Sequence, residues 1–512
     1  MIILKNKNEK NIFLPCLESV SIGRAYHLLR ADIQEHLTMA RKEIGFKYCR
    51  FHALFHDDMD VAYRRSDGNI GYNWYHVDRI YDFLLSIGMK PFVELGSMPS
   101  CIASGKTTMF WYKMNVTPPS KMEEWYELVR SFTLHITDRY GVDEVSTWFF
   151  EVWNEPNLEC FWTGNQQNYF DLYENAARAV KSVCENYKVG GPATAVAEWI
   201  GDIIEYCASK AIPLDFITTH VYPQDEYCLY KTRENSPYKE VGDYFIGEVK
   251  KVRYEIDSSS RPNLDVYWTE FNTLSADENG KIAFIGNEAL DLLYGGACVA
   301  RNMIETMDLS RGVSYWTVSD VFDESKLRQI PFSGSYGLLT IHGIRKATYN
   351  VFTLLAKMRG KKIETKISAP RGCGILACEE NGTVRVILYN CRFPEIKDQP
   401  IWTDTLNFAN INTNKNFICY QTKITEEHGS PYETWLKMGS PENLSKTETE
   451  LLHAASIPEY SIREIEKNDE LDFSLKPNEV CYLEFSGRKT AFCDKVKNEA
   501  LENLLNTANK KT

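Results

Sequence analysis

The chain lacks any long apolar run. Hydrophobic residues make up 44% of its 512 positions, yet no stretch approaches the roughly 20 apolar residues of a membrane helix. The opening, Met1 to Lys10, has only a short apolar patch followed by charge. That is not the pattern of a secretory leader, so a cytoplasmic location is expected. Positive charge is in deficit. Against 70 acidic residues stand 58 basic ones, a net charge of −12, which argues against a nucleic-acid or anionic-membrane partner. The fourteen cysteines include no Cys-x-x-Cys pair, so neither a zinc site nor a disulfide framework is expected. Cys49, Cys391, Cys419 and Cys481 fall within predicted strands, where reduced thiols pack as small hydrophobes. Internal repeats and low-complexity segments are also missing.

The length calls for two or three domains. The richest stretch is Trp148-Phe149-Phe150-Glu151-Val152-Trp153-Asn154-Glu155-Pro156-Asn157. It reads as a strand covered on both faces, stopped by a proline that cannot donate to a continuing ladder. Asn154 and Glu155 sit just before the stop, at the strand's carboxyl end, where parallel α/β folds gather catalytic groups. A carboxyl group against tryptophan and phenylalanine is poorly solvated, so it is expected to stay protonated near neutrality, as a general acid must. The alternative is that Glu155 only caps the next segment. The pattern returns in Leu264 to Asn272, where an apolar strand again ends in a glutamate, Glu270. Two carboxylates at strand tops facing one substrate are what glycoside hydrolysis needs.

Strands alternate with helical segments from Ser21 to about Arg359. Ile33, Leu37, Ala40 and Ile44 recur at helical spacing before Gly45. Val77, Ile80, Leu84 and Ile87 do the same before Gly88. Further helices are expected over 120–139, around Tyr169 to Val183, and over 242–257, 285–306 and 345–358. Eight such repeats imply a closed (β/α)8 TIM barrel over 21–359, with Glu155 on the fourth strand and Glu270 on the seventh. The long connection from Gly96 to Pro119 is expected to wall the site; strand six leads into a loop with Tyr227, Tyr230 and Tyr238. From 360 to 488 the pattern changes to short strands, with an Asn381-Gly382 hairpin turn, and an antiparallel β-sandwich is expected. Residues 489–512 read as a polar, loosely helical tail.

Asn154-Glu155-Pro156 and Trp268-Thr269-Glu270 resemble the acid/base and nucleophile motifs of clan A glycoside hydrolases. With Arg50-Phe51-His52, Phe92 to Gly96, Gly190 to Ala195, Thr219 to Pro223 and Ser314 to Asp320, the chain resembles glycoside hydrolase family 39, in its bacterial 1,4-β-xylosidase branch. The resemblance implies that residues 1–20 pack on the accessory domain. It implies Glu155 as acid/base and Glu270 as nucleophile in a retaining exo-glycosidase that releases xylose from xylo-oligosaccharides. It places Asn154 at the sugar 2-hydroxyl, His220 and Tyr222 in the pocket wall, and Trp316 under the ring. Phe161, with Trp162, is expected to wall the entrance.

Arg50 and His52 share a strand face. Arg50 is expected either to hold Glu270 ionised or to pair with Glu151, and His52 to bond a sugar hydroxyl. Family members carry Glu-Glu where this chain has Asp323-Glu324, which leaves open which acid reaches the sugar. Phe271 and the segment Phe332 to Tyr336 also depart from the family pattern. No metal or organic cofactor is expected: His52 and His56, on one strand, lie about 13 Å apart. A homodimer or tetramer is implied by the resemblance alone. The rivals are another glycoside (α-L-iduronide, α-L-arabinoside or β-galactoside), a non-catalytic carbohydrate-binding barrel, and a metal-dependent barrel enzyme, the last lacking a ligand cluster.

Overall fold

The structure, a computed structural model, describes residues 2–222, 243–273, 290–324, 329–392, 399–407, 417–465 and 470–487. Eight parallel strands close into a barrel in sequence order. They are, first to eighth, Ser19–Arg24, Tyr48–His52, Lys90–Leu95, Phe149–Val152, Lys188–Thr194, Phe216–Val221, Asp265–Phe271 and Gly312–Trp316. The first strand begins two residues ahead of the expected Ser21. Helices Ala31–Glu43, Tyr75–Ser86, Met122–Tyr140, Gln166–Val183, Ile200–Ser209, Tyr244–Asp257, Leu293–Glu305 and Ala347–Leu355 follow the strands in turn. The helix over Gln166–Val183 shows why. Tyr169, Leu172, Tyr173, Ala176 and Val180 form one fully buried stripe, and each large member contributes about 1.5–3 kcal/mol by leaving water. Asn165 caps its start through a reciprocal bond with Asn168.

The barrel interior is layered because strand side chains alternate. At the amino end, Phe92, Phe149, Phe216 and Tyr267 form an aromatic plug, with the Phe149 and Tyr267 ring centroids 4.9 Å apart. Two residues further along the same strands come Glu94, Glu151, Thr218 and Thr269, all buried, level with Arg50. The apolar floor therefore carries a charged layer above it, and the carboxyl-end loops close over that layer.

The second unit is one nine-stranded sheet, antiparallel except for one parallel pair. Strands at opposite ends of its order share one core: Leu406 and Leu471 pack in the same cluster as Cys419 and Leu483. The sheet thus folds over on itself as a sandwich. Its hairpin turns at Asn381 and Gly382, both at positive φ, as the Asn-Gly pair predicts. The opening segment does more than pack against this sheet. Ile2–Asn11 is a strand within it, antiparallel to Lys361–Lys366 and parallel to Trp402–Asn407. Two helices here, Tyr432–Lys437 and Lys446–Ala455, have no counterpart in the sequence reading. The second carries a readable signal, the capping box Ser445-x-x-Glu448. The tail 489–512 and Tyr227, Tyr230 and Tyr238 lie outside the described residues. No described helix is long and apolar enough to cross a membrane.

Candidate active site

At the carboxyl end of the barrel lies a cavity of about 300 Å³. Asn154, Glu155, Glu270, Tyr222, Trp316 and His52 line it, together with Phe161, Glu324 and Tyr336 and with Met109 and Phe110 from the long connection after strand three. A larger cleft, about 420 Å³, lies where the barrel meets the sheet, beside Arg345, Lys357 and Tyr460. Only the smaller cavity contains the paired carboxylates.

The fourth strand delivers Glu155 through an unusual backbone. Trp153 and Glu155 both have positive φ, 69° and 45°, a conformation that L-residues avoid and that concentrates at functional loops. Neighbouring strands hold it there. Trp153 N–H donates to Leu95 O at 3.1 Å and Glu155 N–H to Ala193 O at 2.8 Å, while the Trp153 indole N–H donates to Phe161 O. Glu155 Oε1 lies 2.9 Å from His220 Nδ1. Glu270 lies across the cavity. Ligand-type atoms of Glu155, His220 and Glu270 all fall within 4.8 Å of one another.

Arg50 organises the layer beneath. It is fully buried, and its guanidinium reaches Glu151 Oε2 at 2.6 Å, Glu270 Oε1 at 2.8 Å, Asn154 Oδ1 at 2.9 Å and Glu94 Oε2 at 3.0 Å. Both alternatives foreseen for Arg50, Glu270 and Glu151, are met by one side chain. Because Asn154 Oδ1 accepts from Arg50, its amide N–H groups are the donors open to a ligand. His52 bridges Glu94 Oε2 at 2.5 Å and Glu270 Oε1 at 3.2 Å. It lines the cavity, yet both ring nitrogens serve carboxylates, which changes its expected role from sugar contact to electrostatic support. Burial works against a charge on His52, but Glu94 and Glu270 outweigh it and lift the imidazole to about 10.

Glu270 carries the opposite shift. Burial alone would raise it; the charges of His52 and Arg50 reverse that and hold it well below the usual carboxylate range. His220 is itself pushed down to about 3 by burial and is neutral at neutral pH, so the positive charge comes from His52 and Arg50. Tyr222 Oη donates to Glu270 Oε2 at 2.6 Å. Burial, then the Glu270 charge, raises the phenol well above its ordinary value, so it keeps its proton. Glu270 is thus an ionised, oriented carboxylate and fits a nucleophile.

Several expected residues sit elsewhere. His220, fully buried, stands behind Glu155 and not in the cavity wall, because the sixth strand points it into the charged layer. Asp323 does not line the cavity either. Arg24 takes both its oxygens, at 3.2 and 3.0 Å, and His27 Nε2 sits 2.6 Å from Oδ1. The neighbouring Glu324 is the acid that faces the cavity. Burial pushes it up to about 8, with Glu270 and Asp323 adding to the shift against His52. Trp316 contacts His52 with ring centroids 4.6 Å apart. Tyr336 is held by a buried cluster. Lys346 Nζ meets Asp291 at 2.6 Å, Asp320 at 2.8 Å and Ser335 O at 2.9 Å, and the two aspartates accept Gly334 N–H and Gly337 N–H.

Sequence reasoning gave no role to Arg24, His27, Asp291 or Lys346, which local pattern does not mark. Glu94 and Thr269 lay inside quoted motifs, and strand parity with the aromatic Phe92 and Tyr267 was a usable signal for them. The Glu155, His220 and Glu270 set has the composition of a metal site, but Arg50 and His52 already place positive charge on Glu270 Oε1, where a cation would have to bind.

The family profile described as glycosyl hydrolases family 39 matches residues 1–470. A β-xylosidase of Caldicellulosiruptor saccharolyticus is 37% identical over 455 residues, 87% of this chain and 90% of the relative. A β-xylosidase of Geobacillus stearothermophilus is 34% identical over 487 residues, 91% of each. Among solved structures, a monomeric β-xylosidase from Caulobacter crescentus CB15 superposes with a TM-score of 0.83 at 29% identity, covering 95% of this chain and 99% of that one. On this match the chain is a glycoside hydrolase and belongs to glycosyl hydrolases family 39.

Proposed function

We propose that the chain is a retaining exo-β-xylosidase, with Glu270 as nucleophile and Glu155 as acid/base, that releases xylose from the non-reducing end of xylo-oligosaccharides. The observation that carries the reading is the proximity of the two carboxylates, whose oxygens approach within 4.8 Å. Retaining enzymes hold the two groups about 5–5.5 Å apart, whereas inverting enzymes leave about 6.5–9.5 Å for a water. In the first step Glu270 attacks the anomeric carbon while Glu155 protonates the departing oxygen. In the second, Glu155, now a carboxylate, takes a proton from water, which attacks the glycosyl ester. Asn154, anchored by Arg50, offers N–H to the 2-hydroxyl, where a bond strengthens as the oxocarbenium character grows. Trp316 supplies the platform and Glu324 the distal hydroxyl contact.

The xyloside preference rests on the relatives' activity and on the wall itself. Among the described residues that line the cavity there is no lysine or arginine to pair with a uronide carboxylate. Hydrolysis of aryl β-D-xyloside beside the arabinoside, galactoside and iduronide, for wild type and Glu270→Ala, tests the reading. The xyloside is expected to turn over fastest with retained anomeric configuration, and the variant to lose that turnover. Faster cleavage of another glycoside would move the substrate and keep the mechanism. Tight sugar binding without turnover would favour a binding protein. A cytoplasmic location, where imported oligomers would be processed, and a dimeric or tetrameric assembly are further parts of the proposal, tested by fractionation and light scattering.

A further inference from the structure

Behind Glu155 runs a continuous chain of buried polar groups. His220 Nδ1 lies 2.9 Å from Glu155 Oε1, His220 Nε2 lies 3.2 Å from Thr269 Oγ1, and Thr269 Oγ1 lies 2.7 Å from Glu151 Oε1. All four residues are at least nine-tenths buried. The chain has three contacts. Each contact needs one hydrogen between its two heavy atoms. A neutral imidazole brings one and a threonine hydroxyl brings one, so the third must come from one of the two end carboxylates. With both carboxylates ionised and the imidazole neutral, one of the three contacts would set two lone pairs against each other in a buried site, which is costly.

We propose that the Glu155, His220, Thr269 and Glu151 chain holds one shared proton and that Arg50, seated on Glu151, biases it toward Glu155. The inference rests on the acid/base reading of Glu155 and deepens it. Arg50 Nε donates to Glu151 Oε2 at 2.6 Å and pulls that end toward the ionised form, while burial and the Glu94 charge leave the Glu151 carboxyl raised on balance; the bias toward Glu155 therefore comes from the Arg50 ion pair itself. Thr269 then donates to Glu151 and accepts from His220 Nε2–H. His220 Nδ1 presents its lone pair to Glu155, and Glu155 donates to it as a carboxylic acid.

If the proton runs inward, the Glu155 O–H bond breaks and Nδ1–H forms, Nε2–H passes to Thr269, and the threonine's own proton passes to Glu151. Glu155 ends ionised and Glu151 neutral, with no net gain of protons. Once Glu155 has protonated a leaving group, its carboxylate faces the Nδ1 lone pair, and that repulsion makes it the stronger base for the incoming water. On the second strand Arg50 also meets Glu270, and His52 meets Glu94 and Glu270. From the sixth strand's end Tyr222 donates to Glu270, while Cys160 and Glu324 face the cavity side. Thr269 and His220 are therefore positioning residues, acting through Glu155.

The test is the pH dependence of kcat/KM on an aryl β-xyloside with a poor leaving group, for wild type, Thr269→Val and Thr269→Ser. Without the hydroxyl, His220 can carry its proton on Nδ1 and donate to the Glu155 carboxylate. That stabilises the ionised acid and should move the basic limb down by about one pH unit, roughly a tenfold loss of the acid form above the limb. Serine should restore the wild-type limb. A valine limb that coincides with wild type, or a serine limb that shifts with valine, overturns the proposal. Nitrogen-15 NMR of the wild-type histidines gives an answer even if the valine variant fails to fold. His220 Nδ1 should be unprotonated and Nε2 protonated; the reverse tautomer overturns the proposal. Full activity of Glu155→Gln on the same substrate would refute the acid/base reading itself, and the tautomer would still judge the chain.

Discussion

Replacing Arg50 with methionine should damage stability and chemistry together, with opposite pH signatures. The Arg50 Nη1 contact to Glu270 is 2.8 Å, about 6 kcal/mol of gross Coulomb energy at an effective dielectric near 20. Contacts to Glu151 and Glu94 add to it, and the cost of burying the guanidinium cancels most of the sum. Breaking a buried pair from one side costs about 3–5 kcal/mol, because the partner charges stay buried. That is a large share of the 5–15 kcal/mol typical of a domain.

The sign follows from Glu270. Its carboxyl is held below its unfolded value, so its contribution is present above the unfolded pKa and is lost as pH falls through the folded one. Wild type should therefore exceed Arg50→Met most near pH 7–8. The gap should close below about pH 5 as the variant's carboxylates take up protons. Denaturant unfolding across pH measures this. In kinetics, loss of the cation should raise Glu270 by about 1–3 units and move the acidic limb of kcat/KM upward by that amount. Arg50→Lys keeps the charge but not the fork, and should recover part of the limb shift and little of the stability. Equal stability of Arg50→Met and wild type at pH 7, with an unmoved acidic limb, would refute the electrostatic account.

Three further outcomes follow from the site. Glu155→Ala should lose most activity on substrates with poor leaving groups and far less on dinitrophenyl xyloside, which needs no proton; added azide should then yield a glycosyl azide of retained configuration, read by NMR. Glu324, lifted to about 8, is neutral at pH 7, so Glu324→Gln should change KM little there and remove a dependence of KM on pH that wild type shows as pH rises through 8. Lys346→Met strips the cation from Asp291 and Asp320, the latter pushed up to about 7; it should cost about 3–5 kcal/mol by denaturant unfolding and raise KM through displacement of Tyr336.

The barrel was legible because its signals are local and repeated. Apolar residues at helical spacing, glycine stops and strands ending in polar pairs each recur down the chain, and a helix boundary needs only a few neighbours to be set. The Gln166–Val183 helix follows from its own stripe and its own cap. The strand Trp402–Asn407 was invisible for the converse reason. Its burial pattern lacks a clean alternation, and it is held by pairing with Ile2–Asn11 and Glu470–Leu475, far away in sequence.

Within the site the same division holds, and it explains Asp323 and Glu324. Adjacent residues in a loop point in different directions, and what decides between them is a partner from elsewhere. Arg24 ends the first strand and His27 begins the next turn, and together they fill both oxygens of Asp323. Glu324, one residue on, has no such pair of cations among the described residues and faces the cavity. The charged layer follows a stricter rule. On strands two, three, four and seven, the residue two places beyond Tyr48, Phe92, Phe149 and Tyr267 is Arg50, Glu94, Glu151 and Thr269. Parity alone therefore assigns the aromatic plug and the layer above it to the same inner face. What parity cannot supply is that a single arginine joins three of the carboxylates, because that depends on barrel closure bringing strands two and seven across from each other. The charge of Glu270 is thus set by a residue on the opposite wall, so a substitution at Arg50 should move the titration of Glu270 more than any change among Glu270's own sequence neighbours.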